Sequence, residues 1–181
     1  KASNYITIFT NPLYINKRSE EDNIGYNSQD FLVEVISCLK RINNKQKLTS
    51  KIYVKIHPRE SIENYTKIDF QDLKKNGLDI DVSKSDSNTL IFNSTLVIGF
   101  TSIVLLDSSI LGIPTVSYQP RKLKISSDIT NQRKNLSVIK DIKTMESCLE
   151  NIIGKNQSHE KVIMRNKAGY NFANFIVDLI E

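Results

Sequence analysis

Leu96-Val-Ile-Gly-Phe-Thr-Ser102, followed by Ile103-Val-Leu-Leu-Asp-Ser-Ser-Ile-Leu111 and then Gly112-Ile-Pro-Thr-Val-Ser-Tyr118, reads as strand, polar turn, helix, tight turn, strand. An apolar run too short for a buried helix gives way to a glycine and two hydroxyls, and a second apolar run with helical length follows. Gly112 marks the left-handed end of that helix, and Pro114 suits the entrance to the next strand. The corner from Gly99 to Ser102 therefore carries unpaired amide donors and the positive end of a helix dipole. Such a corner can receive a phosphate or a carboxylate.

A second corner has the same layout. Lys51-Ile-Tyr-Val-Lys-Ile56 is a short strand that delivers His57, Pro58 and Arg59 to its carboxyl end. Open parallel sheets bind ligands beyond these strand ends, so the two corners are expected to share one working edge.

Working outward, Tyr5 to Thr10 has strand composition and runs into Asn11-Pro12, a turn signal. Phe31, Leu32, Val35, Ile36, Leu39 and Ile42 recur at helical spacing, which predicts a helix over 28–43 with Ser28 or Asp30 near its cap. The segment 61–75 is weakly helical and closes at Asn76-Gly77; Ile80 to Val82 is a short strand, and 86–92 a brief helix capped by Ser85 or Asp86. The helix from Ser102 to Leu111 is apolar on nearly every side and is expected to be central and covered, with only Asp107, Ser108 and Ser109 polar. Ser137 to Lys140 reads as a last strand, with helices over 144–153 and 159–180. This alternation predicts an α/β, Rossmann-like, three-layer parallel sheet.

The chain has 181 residues, 39% hydrophobic and 25% charged, enough for one sizeable core. It lacks a run of eighteen apolar residues, and its amino terminus lacks the layout of a secretion signal, so a soluble domain is expected. Because it begins at Lys1 and enters a strand almost at once, it reads as a piece cut at a domain boundary. Cys38 and Cys148 fall in helices among apolar neighbours and read as buried thiols. The net charge of +5 has positive clusters at 45–51, 121–124 and 133–134. It suits a nucleotide, an anionic acceptor or a membrane headgroup layer. Nucleic acid is disfavoured, because no recognition helix, aromatic strand motif or Cys/His finger is visible.

Among residues able to do chemistry, His57 can donate to a phosphate or act on a leaving group, or serve the fold alone. Arg59 can neutralise phosphate or face water, and His159 reads as solvated or capping. Thr101 and Ser102 offer hydroxyls and amides to phosphate oxygens, and Ser102 is equally a good helix cap. Asp107, set in an apolar helix, needs partners if buried: ligand hydroxyls, or a backbone amide of the following loop. Two separated histidines and two separated cysteines lack metal-ligand spacing. The nucleophile elbow of hydrolases, the Walker lysine pattern and the Gly-x-Gly-x-x-Gly loop are all absent. Binding or transfer assisted by an anion site is what remains.

His57-Pro58 at a strand end, Gly99-Phe-Thr-Ser102, Asp107 and Leu111-Gly-Ile-Pro-Thr-Val116 together resemble the carboxy-terminal nucleotide-binding domain of GT-B glycosyltransferases. The nearest flavour is that of bacterial sialyl- and polysialyltransferases and CDP-glycerol glycerophosphotransferases. The resemblance implies one half of a GT-B architecture over 1–181, ending in a terminal packing helix at 159–181. It implies donor-phosphate contacts from His57-Pro58 and Thr101-Ser102, with His57 also assisting departure of the nucleotide, while Arg59, Gly99 and Asp107 join the candidate binding set on their own residue chemistry. It further implies a nucleotide-sugar donor and no tightly bound cofactor or metal. A glycan acceptor at the cell surface, a missing amino-terminal domain holding the catalytic base, and a cytoplasmic location near the inner membrane face complete it. Relatives, among them UDP-N-acetylglucosamine 2-epimerases, carry a ribose-binding glutamate where this chain has Asp107, and the epimerases' glycine-rich run is absent. Those departures place CMP or CDP donors ahead of UDP. A UDP-sugar 2-epimerase-like enzyme and a noncatalytic nucleotide- or glycan-binding module are the alternatives.

Overall fold

The computed structural model describes residues 5–13, 26–120 and 136–157. Six strands, β1 (Tyr5–Phe9), β2 (Lys51–Lys55), β3 (Ile80–Val82), β4 (Ser94–Gly99), β5 (Thr115–Tyr118) and β6 (Leu136–Ile139), form one sheet in the order β3-β2-β1-β4-β5-β6. Every neighbouring pair is parallel. The helices among the described residues are α1 (Ser28–Lys45), α2 (Phe70–Lys75), α3 (Ser87–Asn93), α4 (Ile103–Ile110) and α5 (Ile142–Gln157), with a 3-10 turn at Ile62–Tyr65.

Side-chain alternation along the strands builds two cores. Ile6, Ile8, Ile52, Val54, Leu96 and Ile98 face one side, where α1 and α5 cover them with Leu32, Val35, Leu39, Met145 and Leu149. Phe9 and Val97 face the other side, against Leu90 and Ile91 of α3 and Leu105 of α4. The chain winds from β1 to β2 and β3, then returns to place β4 on the far side of β1. That return creates a switch point between β1 and β4, the crevice where open α/β sheets receive ligands. The expected α/β, three-layer parallel architecture is the one observed.

Local chemistry sets the element ends. Asn27 caps α1, its side chain accepting the Asp30 N–H at 2.9 Å, so Ser28 lies inside the helix and Asp30 in its first turn. The segment expected to be one weak helix breaks in two, because the Asp69 carboxylate accepts the N–H groups of Gln71 and Asp72 and starts α2 afresh. Both α2 and α4 end in a left-handed glycine, Gly77 at φ 84° and Gly112 at φ 75°. In each, paired hydrogen bonds run back to the last turn: Gly77 to Lys74 and Leu78 to Leu73, Gly112 to Ser109 and Ile113 to Ser108. Cys38 is buried, Cys148 half-buried, and both are free thiols; burial pushes the Cys38 thiol up to about 12.

Helix α4 corrects one expectation. It is covered on one side only, for Ile103 is 62% exposed and Asp107 is exposed one turn later on the same face. The buried polar groups are instead Ser108 and Ser109, whose hydroxyls donate to the carbonyls of Val104 at 2.6 Å and Leu106 at 2.8 Å. Serine satisfies itself on its own helix and can turn inward, whereas a carboxylate has no such local donor. The expected helix over 159–180, His159 and the basic clusters at 121–124 and 133–134 lie outside the described residues.

Candidate functional site

Parallel pairing brings the carboxyl ends of all six strands to one edge. At the centre of that edge stand the tips of β2, β1 and β4, side by side. His57 follows β2, Thr10 and Asn11 follow β1, and Thr101 and Ser102 follow β4. The outer two tips are separated by two strand spacings, roughly 10 Å.

The β2 corner is a closed polar knot. The His57 N–H donates to the Thr10 hydroxyl oxygen at 2.9 Å, and the Thr10 hydroxyl donates to Glu60 Oε2 at 2.7 Å. Tyr65, buried below the turn, donates its phenol to the same oxygen at 3.0 Å. Burial raises the Tyr65 pKa, keeping the phenol a donor. Above this base, Pro58 and Arg59 are exposed and the His57 ring is partly exposed. The ring's Nδ1 accepts the Arg59 N–H at 3.1 Å. A neutral imidazole with Nδ1 so occupied carries its proton on Nε2, a donor. Burial, and then the nearby Arg59 charge, hold the His57 pKa below its ordinary value, with Glu60 opposing.

The β4 corner is built differently. Gly99 is buried against α4: a Cβ built there would lie 2.9 Å from Leu105 Cδ2. Its evident work is to let the helix approach the strand. The Phe100 carbonyl accepts the hydroxyl of Ser117, which is in turn held by the Gln119 amide at 2.7 Å. Thr101 and Ser102 are half-buried, and Ser102 occupies the cap position of α4 without making a side-chain cap bond. From the β1 tip, Asn11 Nδ2 donates to the Thr101 carbonyl and lies 3.4 Å from its hydroxyl.

The edge thus gathers His57, Pro58, Arg59, Thr101 and Ser102 around the β1 tip, with Gly99 just beneath. Asp107 stands apart: it is exposed on α4, so the premise of a buried carboxylate seeking partners fails, because the helix face it occupies is not covered. Thr10, Asn11, Glu60 and Tyr65 were not foreseen as members of this edge. The Thr-Asn-Pro sequence signals a turn, and nothing local in it reveals that the strand before it is central. Among the described residues no group of three His, Cys, Asp or Glu side chains is arranged to hold a metal ion, and no helix is long and apolar enough to cross a membrane.

No protein-family model and no curated protein matches this sequence. Solved structures do. The UDP-GlcNAc 2-epimerase of Methanocaldococcus jannaschii, in complex with UDP-GlcNAc and UDP, is similar at 16% identity and a TM-score of 0.54, over 84% of this chain and 39% of that one. TarM is similar at 11% identity and a TM-score of 0.54, over 94% of this chain and 32% of that one. The catalytic domain of cholesterol-α-glucosyltransferase from Helicobacter pylori is similar at 15% identity and a TM-score of 0.52, over 94% and 98%. The fold is GT-B-like. At these identities the likeness speaks for the fold, and this chain spans 39% of the epimerase and 32% of TarM.

Proposed function

We propose that this chain is the donor-binding half of a glycosyltransferase, holding the phosphate of a nucleotide-activated sugar over the β1/β4 switch point. The observation that carries the reading is the pairing of two donor sets on one edge. His57 offers Nε2–H because its Nδ1 is occupied, and the Thr101-Ser102 turn offers hydroxyls and the first amides of α4. Negative charge grows on the phosphate as the sugar departs, and fixed donors accelerate that step to the extent that their bonds strengthen with it. Arg59, exposed beside the ring, adds positive charge. Pro58 fixes the turn between them.

In this reading the acceptor is a bacterial cell-surface polysaccharide such as a capsule, built on the cytoplasmic side near the membrane, and the catalytic base belongs to a further domain. Cytidine donors stand ahead of uridine in this reading, and because the catalytic base belongs to a further domain, this piece alone binds donor and transfers nothing. Calorimetric titration of CMP, CDP and UDP tests the donor part of this reading, and turnover by the full-length protein tests the transfer. His57→Ala and Thr101→Ala should each weaken binding by roughly tenfold, the worth of one hydrogen bond to a charged group. Unchanged affinity in both would remove these residues from the site.

The likeness to an epimerase bound to UDP-GlcNAc and UDP supports a second reading, a sugar-nucleotide epimerase. It predicts preference for UDP and interconversion of a UDP-sugar without acceptor by the full-length protein.

A further inference from the structure

We infer that Thr10 and Asn11, consecutive residues at the tip of β1, are positioning residues that hold the two ligand corners in register, one corner each. This rests on the proposed reading of the edge and goes beyond it. β1 is the strand between the corners, and its last two polar side chains diverge to opposite neighbours. Thr10 uses its hydroxyl in both directions at the β2 corner, accepting the His57 N–H at 2.9 Å and donating to Glu60 at 2.7 Å. Asn11 spends its amide on the β4 corner, donating to the Thr101 carbonyl. That contact fixes the amide's orientation, since the flipped form would set two oxygens against each other.

Each clamp also leaves an acceptor buried and, among the described residues, unpartnered: Asn11 Oδ1 on one side and Glu60 Oε1 on the other. Buried acceptors without donors are costly and uncommon, and a core optimised for stability alone would avoid two around one strand tip. They are tolerated here on the side chains that orient the imidazole-bearing turn and the hydroxyl-bearing turn. Thr10 acts on the ligand through His57, and Asn11 acts through Thr101.

The test is a set of calorimetric titrations on the full chain, with whichever of CMP, CDP and UDP the unmodified protein binds most tightly. Thr10→Val, which keeps the shape and removes the hydroxyl, should weaken binding roughly tenfold, and Thr10→Ser should restore it. Asn11→Leu should cause a loss of about the same size without adding charge. In a His57→Ala background the Thr10→Val loss should vanish while the Asn11→Leu loss persists; in a Thr101→Ala background the Thr10→Val loss should persist and the Asn11→Leu loss shrink. A Thr10→Val penalty equal in both backgrounds would mean a general packing role and overturn the inference. If His57→Ala and Thr101→Ala weaken binding but Thr10→Val and Asn11→Leu do not, the inference falls and the proposed function stands. If the unmodified chain binds none of the three nucleotides, both fall. Should Thr10→Val fail to fold, Thr10→Ala, which sets no apolar group against Glu60, supplies the same contrast.

Discussion

The two corners of the working edge use the same kinds of residue in opposite ways. At the β2 corner the polar side chains are spent on one another: Glu60 takes a hydrogen bond from Thr10 and another from Tyr65, and Thr10 takes the His57 N–H. At the β4 corner Ser102 stands at the head of α4 without bonding the helix it caps. One corner is braced and presents a single aimed imidazole; the other keeps hydroxyls and amides in reserve. A site assembled this way separates rigidity from reception, so substitutions at the two corners should fail differently.

The largest effect is expected from Glu60→Ala, which strands the Thr10 and Tyr65 hydroxyls beneath the turn. Losing their acceptor should cost about 2–3 kcal/mol in denaturant unfolding. Nucleotide affinity should fall with it, since the His57 turn loses its base. A Glu60→Ala protein as stable as the parent would show that the knot is not a brace.

Gly99→Ala comes next and probes the seam between the corners' support and their display. The added methyl meets Leu105 Cδ2 at 2.9 Å, and Leu105 is fully buried, so its side chain must move within a packed core. A loss of about 1 kcal/mol is expected, together with weaker nucleotide binding as the head of α4 tilts. Stability unchanged by calorimetry would mean that Leu105 repacks freely.

Ser102→Ala should have a smaller effect on stability, below about 0.5 kcal/mol, although a helix-capping serine ordinarily contributes more. The reason is that this hydroxyl makes no cap bond. Affinity for the nucleotide should nevertheless drop. If stability falls by about 1 kcal/mol while affinity holds, Ser102 is a cap and the corner is not a reserve.

How much of this was readable beforehand follows from the range of each interaction. The strand–turn–helix of 96–111 and the glycine stops at Gly77 and Gly112 depend on neighbours a few residues apart, so the sequence pattern shows them directly. The placement of His57 and Thr101 on one edge also followed, because parallel strands put all their carboxyl ends together. Which face of α4 is covered did not follow, since Ile103 and Leu105 are equally apolar and only the position of β4 decides which one is buried. Thr10 and Asn11 were invisible as site residues for a similar reason. Their partners lie 50 and 90 residues away, at Glu60 and Thr101, and only the return of β4 to the side of β1 unites them.

The finest distinction between the corners is the protonation of His57. Its pKa lies below the ordinary imidazole value of 6.5, through burial first and Arg59 second, so the folded ring binds a proton more weakly than the unfolded one. The stability contributed by the neutral ring is therefore complete above the unfolded value, about 6.5, and is lost as pH falls through it toward the lower folded value. Protonation would also put hydrogen on Nδ1, which now accepts the Arg59 N–H, and so would loosen the turn. A bound phosphate acts in the other direction, because its negative charge favours the imidazolium and raises the ring's pKa. An NMR titration, with the His57→Ala spectrum assigning the signal, should find a midpoint under 6.5 in the free chain and a higher one with nucleotide bound. Nucleotide binding should accordingly take up protons between the two midpoints. A midpoint that ignores the nucleotide would separate the imidazole from the phosphate, leaving the braced corner without a ligand to aim at.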